Sequence, residues 1–239
     1  MSELQMVIIC TSLVTRHSSS LESTVSLSAQ FVTYFTQVQA TSGWDRVLAS
    51  FARFVAPART AHVLDVGCGP GSLVRRLAHE VAFAYGCDAD RGMIEQAQKL
   101  AEEECLGNVE FRVGALPDLP YPPERFDAVA ATNVIFLQRN PQAAIDSMAR
   151  VCQPGGIVAM LNPSPQMSMA AATAHADKHG LVEFDRVSFI NWGNVAEQAQ
   201  RFSETQITQM FAAAGLNEIV IEAKIGGLAL LAKAKKKER

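Results

Sequence analysis

Three glycines at alternate positions, Gly67, Gly69 and Gly71, follow the short apolar run Val63-Leu64-Asp65-Val66 and lead into an apolar-periodic segment that starts at Ser72. Glycines there let the backbone turn sharply and approach a ligand closely. A helix opening behind them presents unpaired N–H groups, a setting that suits an anion. A second acid, Asp88, closes the next apolar run 17 residues after Gly71. In strand–loop–helix nucleotide folds this is where a carboxylate accepts the two hydroxyls of a ribose. The competing role for an acid here, helix capping, fits Asp90 better. A dinucleotide fingerprint needs glycine at a position that Ser72 occupies, so a pyrophosphate is not the preferred guest. A smaller anion such as a carboxylate still suits the loop.

The elements that must hold these residues follow from periodicity and punctuation. Residues 25–38 and 44–55 read as helices, the second closed by Pro57, and padding of the sheet is the expected role of the pair. Strands are expected at 63–66, 81–87, 109–113, 126–132 and 157–161. Helices are expected over 72–80, 93–104 with Asp90 as N-cap, and up to Val151 from Asn140 and Pro141. Residues 116–125 carry four prolines and must be a loop. Gln153-Pro154-Gly155-Gly156 reads as a tight turn into the fifth strand. Ser203 and Gln206 form a capping box for a helix that stops at Gly215. Two last β-type runs, 218–223 and 228–232, lie too close together for a crossover and are expected to pair antiparallel. Alternation of this kind implies an α/β, doubly wound, mostly parallel sheet.

That alternation breaks between 163 and 202, where two helical segments are expected as an insertion beyond a strand end, the usual place for substrate specificity. The domain plan is a leader over 1–20 and one domain over 21–239 that carries this insertion as a cap. Within the cap, His175, Asp177 and His179 are the available bases. The two histidines have metal-face spacing but no further ligand nearby, and exposed helix surface is the expected reading for both. Trp192 is expected to pack the cap core, with stacking on a substrate as the alternative.

Of the 239 residues, 49% are hydrophobic and 19% charged, with a net charge of −3. An acidic balance without a basic, aromatic strip speaks against nucleic acid, and no apolar run suits a membrane span. Five scattered cysteines with no C-x-x-C pair argue against a disulfide frame or a zinc site and for a cytoplasmic setting. The basic ending from Lys233 reads as a solvated tail.

Four segments in order carry a family resemblance. Val63-Leu64-Asp65-Val66-Gly67-Cys68-Gly69-Pro70-Gly71 resembles the first motif of the class I S-adenosylmethionine-dependent methyltransferases, in particular the methyltransferase type 11 group. Gly86-Cys87-Asp88-Ala89-Asp90 resembles the second motif, Phe126-Asp127-Ala128-Val129 the fourth-strand motif, and Arg150-Val151-Cys152-Gln153-Pro154-Gly155-Gly156 the turn before strand five. The resemblance implies a Rossmann-like, seven-stranded sheet with an antiparallel last strand, S-adenosyl-L-methionine as cofactor and a small-molecule methyl acceptor. It implies that Asp65, Gly67, Cys68 and Gly69 surround the methionine part, Asp88 the ribose, and Ala89 the adenine. The family often has Asp or Asn where this chain has Ala115, so the adenine amino group falls to backbone groups of Ala115 and Leu116. Thr132 and Asn133 fall beside the methionyl portion. Methyl transfer from a sulfonium needs alignment and a dry pocket, with no metal, and the sequence assigns no catalytic residue. A non-catalytic S-adenosylmethionine-binding module and an NAD-type oxidoreductase are the rival readings. The sequence leaves the oligomeric state open, a homodimer included.

Overall fold

The computed structural model describes residues 27–238. The expected leader, Cys10 and the first residues of the opening helix lie outside the described residues. The elements in chain order are α1 (Leu27–Gln39), α2 (Ser42–Val55), β1 (His62–Val66), α3 (Ser72–Ala78), β2 (Phe83–Asp88), α4 (Arg91–Glu103), β3 (Val109–Val113) and β4 (Phe126–Thr132). A 3₁₀ turn (Ile135–Leu137) then precedes α5 (Pro141–Val151), β5 (Cys152–Pro163), α6 (Met169–Lys178), α7 (Glu183–Gln198), α8 (Glu204–Ala213), β6 (Leu216–Lys224) and β7 (Ala229–Lys236).

The strands form one seven-stranded sheet in the order β3-β2-β1-β4-β5-β7-β6. The first five run parallel, and β7 lies antiparallel between β5 and β6. β1 sits centrally, and the four residues after His62 are all buried, the pattern of a strand covered on both faces. Alternation along it divides the core. Val63 packs with Phe51 of α2, Leu77 of α3 and Ile94 of α4, whereas Leu64 and Val66 pack with Ile145 of α5 and Phe211 of α8. Each fully buried aromatic or branched side chain contributes about 1.5–3 kcal/mol against the entropy of ordering it.

The helix starts are set by side chains that satisfy open N–H groups. Asp90 Oδ1 accepts from Gly92 N at 2.7 Å and Met93 N at 3.2 Å, Asn140 Oδ1 accepts from Ala143 N at 3.1 Å, and Ser203 and Gln206 make the reciprocal capping box.

Four elements depart from expectation. β7 runs on to Lys236 through the residues expected as a solvated tail, and Lys233 Nζ donates to Phe54 O at 2.6 Å. α3 stops at Ala78 because Asn108 Nδ2 reaches across to the carbonyl of Ala78 at 2.8 Å, which meets an end carbonyl that another turn of helix would have used. β5 starts at Cys152: residues 153–156 do not leave the sheet but bulge within it, with Gly155 at φ +76. The same strand runs on through Pro163, which pairs with Ala229. Finally, α1 does not simply pad the sheet. It lies over the carboxyl ends of the strands against α7, the second helix of the insertion, with Tyr34 bonded to Asn191 and its ring against Phe184.

Candidate functional site

Beyond Val66 the chain turns at Gly67, whose φ is +69 and whose missing Cβ would lie 2.2 Å from Val134 Cγ2. Only glycine serves there on both counts. The loop is held from below: Cys87 O accepts from Gly67 N at 2.7 Å and from Cys68 N at 3.1 Å. Asp88 Oδ2 accepts from Gly69 N at 2.8 Å, and Cys68 O from Gly71 N at 3.0 Å. The next donor, Ser72 N, is taken by Gln39 Oε1 of α1 at 3.0 Å, while Gln39 Nε2 donates to Cys68 O at 3.3 Å. The expectation of a loop and helix start open to an anion is therefore corrected. Those amides are engaged inside the protein, and the loop offers close backbone approach instead of free donors.

Asp88 ends β2 with one backbone N–H on each oxygen, Gly69 N on Oδ2 and Asp90 N on Oδ1 at 2.9 Å. Each oxygen keeps a lone pair for a further donor. Burial raises its pKa, and the backbone hydrogen bonds oppose that rise.

Asp88 opens onto a cavity of about 1000 Å³. Gly67, Gly69, Ala89, Ala115, Leu116, Thr132 and Asn133 line it with Asp88. Asn133 takes the left-handed conformation at φ +57, its N–H donates to Leu161 O at 2.8 Å, and its Oδ1 is buried without a partner. It is thus a strand-end turn residue and a cavity residue at once.

Asp65 and Cys68 are not part of that lining, contrary to expectation. Asp65 is 1% exposed beneath the loop with Oδ1 unpaired, and burial followed by the Asp88 charge pushes its pKa well up. It stays within electrostatic reach of Cys68 in the turn and of Asp88. Cys68 is equally buried, its thiol pushed up chiefly by burial, and its Sγ lies against Gly69 O. Cys87, below the same loop, is pushed up to about 12 by burial, so neither thiol is a nucleophile at neutral pH.

The far end of the cavity is built from α1, α2 and the insertion. His175 was expected on exposed surface, yet it is half-buried on the cavity wall, 4.2 Å from the His179 ring and 5.2 Å from the Phe189 ring between centroids. His179 is exposed, and Asp177 accepts from Arg186 at 2.6 Å outside the cavity lining. Trp192 both packs the cap, against Phe189, and lines the cavity. Sequence reasoning missed Gln39, Tyr34, Trp44 and Asn191 as site residues. Tyr34 and Trp44 fall inside the expected helices 25–38 and 44–55, but periodicity carried no sign of what they face. Among the described residues no group of three or more His, Cys, Asp or Glu is arranged to hold a metal, and no helix is long and apolar enough to cross a membrane.

A family model described as a methyltransferase domain matches residues 58–215, from just before β1 to the end of α8. The chain belongs to that family. Among curated proteins, the chain is 36% identical over 106 residues to a phosphatidylethanolamine N-methyltransferase of Cereibacter sphaeroides, covering 44% of this chain and 52% of that one. It is 34% identical over 95 residues to a ubiquinone biosynthesis O-methyltransferase of Coxiella burnetii, covering 40% of each. The chain spans about half or less of the length of the curated relatives it matches. Among solved structures, phosphoethanolamine N-methyltransferase 2 of Haemonchus contortus in complex with S-adenosyl-L-methionine shares the fold at a TM-score of 0.65 and 16% identity, over 87% of this chain and 57% of that one.

Proposed function

We propose that the chain transfers the methyl group of S-adenosylmethionine to a small organic acceptor that sits beneath the α6–α7 insertion. The observation that carries this reading is the Asp88 carboxylate, which faces the same cavity of about 1000 Å³ that continues under the insertion. That space suits an adenosyl ligand together with a small partner.

The residues present fit the adenosyl group. Asp88 retains a lone pair on each oxygen for a ribose hydroxyl. Ala89, Ala115 and Leu116 offer small side chains and backbone for adenine, with Gly114 beside them on the same wall. Thr132 and the unpaired Oδ1 of Asn133 stand toward the methionyl part. With the loop amides engaged, the cations for a carboxylate are Arg46 and Arg139, which also line the cavity. When bound, the cofactor supplies a methyl carbon activated by a sulfonium for in-line displacement. The protein contributes alignment and exclusion of water: α1 and the insertion close the space over the strand ends. No side chain is assigned as general base.

Calorimetric titration with S-adenosylmethionine tests this. Micromolar binding in the wild type and a loss of at least tenfold in Asp88→Ala is the expected result, since hydrogen bonds to a charged group contribute roughly 1.5–3 kcal/mol each. Equal affinity in the two proteins removes the ribose role of Asp88. Binding without turnover across phenols, amines and carboxylic acids favours the non-catalytic module, and displacement of S-adenosylhomocysteine by NAD favours the oxidoreductase.

A further inference from the structure

Away from Asp88 the cavity wall changes character. Trp44 of α2 and Trp192 of α7 stand edge to face, their ring centroids 6.3 Å apart and their planes at 82°. Phe189 extends this wall 5.9 Å from Trp192. The two indole N–H groups are buried and have no hydrogen-bond partner. Beside them Asn191, 5% exposed, donates from Nδ2 to the Tyr34 hydroxyl at 2.8 Å and leaves Oδ1 buried and unpaired. All of these residues line the cavity. A protein interior rarely leaves polar atoms unmatched, and three of them in one aromatic wall, two donors and one acceptor, describe the complement of a missing molecule.

Charge narrows the class of that molecule. The acid of this end, Asp185, accepts from Ser42 at 3.3 Å, and Lys224 pairs with Glu222 at 2.7 Å. His175 is held toward its neutral form by burial and by the nearby His179 and Lys178. Asp185 keeps acceptor capacity, but the three unmatched atoms of the aromatic wall all belong to neutral groups, and their complement is a neutral polar molecule and not an ion.

We infer that this end of the cavity takes a planar, uncharged hydroxyarene, packed against Trp44 and Trp192, with its hydroxyl donating to Asn191 Oδ1 and a further oxygen accepting from an indole N–H. Flat rings gain from edge-to-face and offset contact with indoles, and a site built to receive a hydroxyl discriminates against an analogue that lacks one. This rests on the methyltransferase reading only in naming the molecule as the acceptor; the pocket chemistry stands apart from it.

The chain contains two tryptophans, so 5-fluorotryptophan labelling gives two ¹⁹F resonances, both from this wall. Binding of S-adenosylhomocysteine is first measured by calorimetry, and its failure counts against the methyltransferase reading alone. The labelled protein, with and without that ligand, is then titrated with 4-hydroxyacetophenone, with acetophenone and with ethanolamine phosphate. The expected result is that 4-hydroxyacetophenone shifts both resonances, acetophenone does so about tenfold more weakly, and ethanolamine phosphate shifts neither. Asn191→Leu should bring the first two within twofold of each other. The wild-type pair of ketones needs no variant to be decisive. Equal affinity for the two ketones, no shift with either, or shifts with ethanolamine phosphate alone overturns the inference.

Discussion

The carboxamide oxygen of Gln39 accepts the backbone N–H of Ser72 at 3.0 Å, so the last residue of α1 caps the first residue of α3. The same side chain holds Cys68 O. Replacement by alanine leaves Ser72 N without its partner, removes one of the two hydrogen bonds on Cys68 O, and frees the end of α1. Gln39→Ala should cost about 1–2 kcal/mol and speed amide hydrogen exchange across 27–39 while the centre of the sheet stays protected. Unchanged exchange in α1 would show that the clasp is ornamental.

Gly67 and Val134 make a steric pair. Gly67→Ala should destabilise by about 2–5 kcal/mol in urea unfolding, combining a left-handed backbone worth ~1–2 kcal/mol with overpacking of ~1–3 kcal/mol. Adding Val134→Ala should recover only the packing part, because the φ of +69 persists. Full recovery would mean that the backbone conformation carries no cost.

Asp65 and Asp88 both hold their protons more tightly in the folded protein than in the unfolded chain. Between the ordinary carboxylate pKa and the raised folded values the native state therefore binds more protons, and stability falls as pH rises through that window. Asp65→Asn removes the larger share of the decline. The urea midpoint of the variant should change less between pH 5 and pH 8 than that of the wild type. A wild-type midpoint that climbs over this interval would contradict the sign.

Arg150 of α5 forks onto the proline-rich loop, donating to Tyr121 O at 2.8 Å and Leu119 O at 2.9 Å. The loop follows Ala115 and Leu116, which line the Asp88 end of the cavity. Arg150→Lys keeps the charge but cannot make the fork. A three- to tenfold weaker affinity for S-adenosylhomocysteine is expected by calorimetry, with the far-ultraviolet spectrum unchanged. An unaltered affinity would separate the loop from the cofactor end.

What the sequence disclosed was what neighbouring residues decide among themselves. β3, β4 and α5 fall on their expected residues because alternation, the four prolines after Leu116, and Asn140 with Pro141 are local signals. The antiparallel pairing of β6 with β7 followed from a connection too short for anything else. The misplaced details depend on partners far along the chain. The early end of α3 needs Asn108, the capped glycine turn needs Gln39, and the inward His175 needs a neighbouring helix that brings Phe189 to it. Asp65 shows the limit of motif reading: its place in the motif is clear, yet the sequence carries no sign that its carboxylate is buried with Oδ1 unpaired.

The bond between Tyr34 and Asn191 spans 157 positions. During synthesis the central strands and their glycine turn emerge from the ribosome long before the second of these residues does. The nascent chain thus has its sheet-end crevice open to water while it is being made. The roof closes only when Asn191 has cleared the ribosome, and a length-dependent protease assay on stalled chains should find α1 cleavable until then.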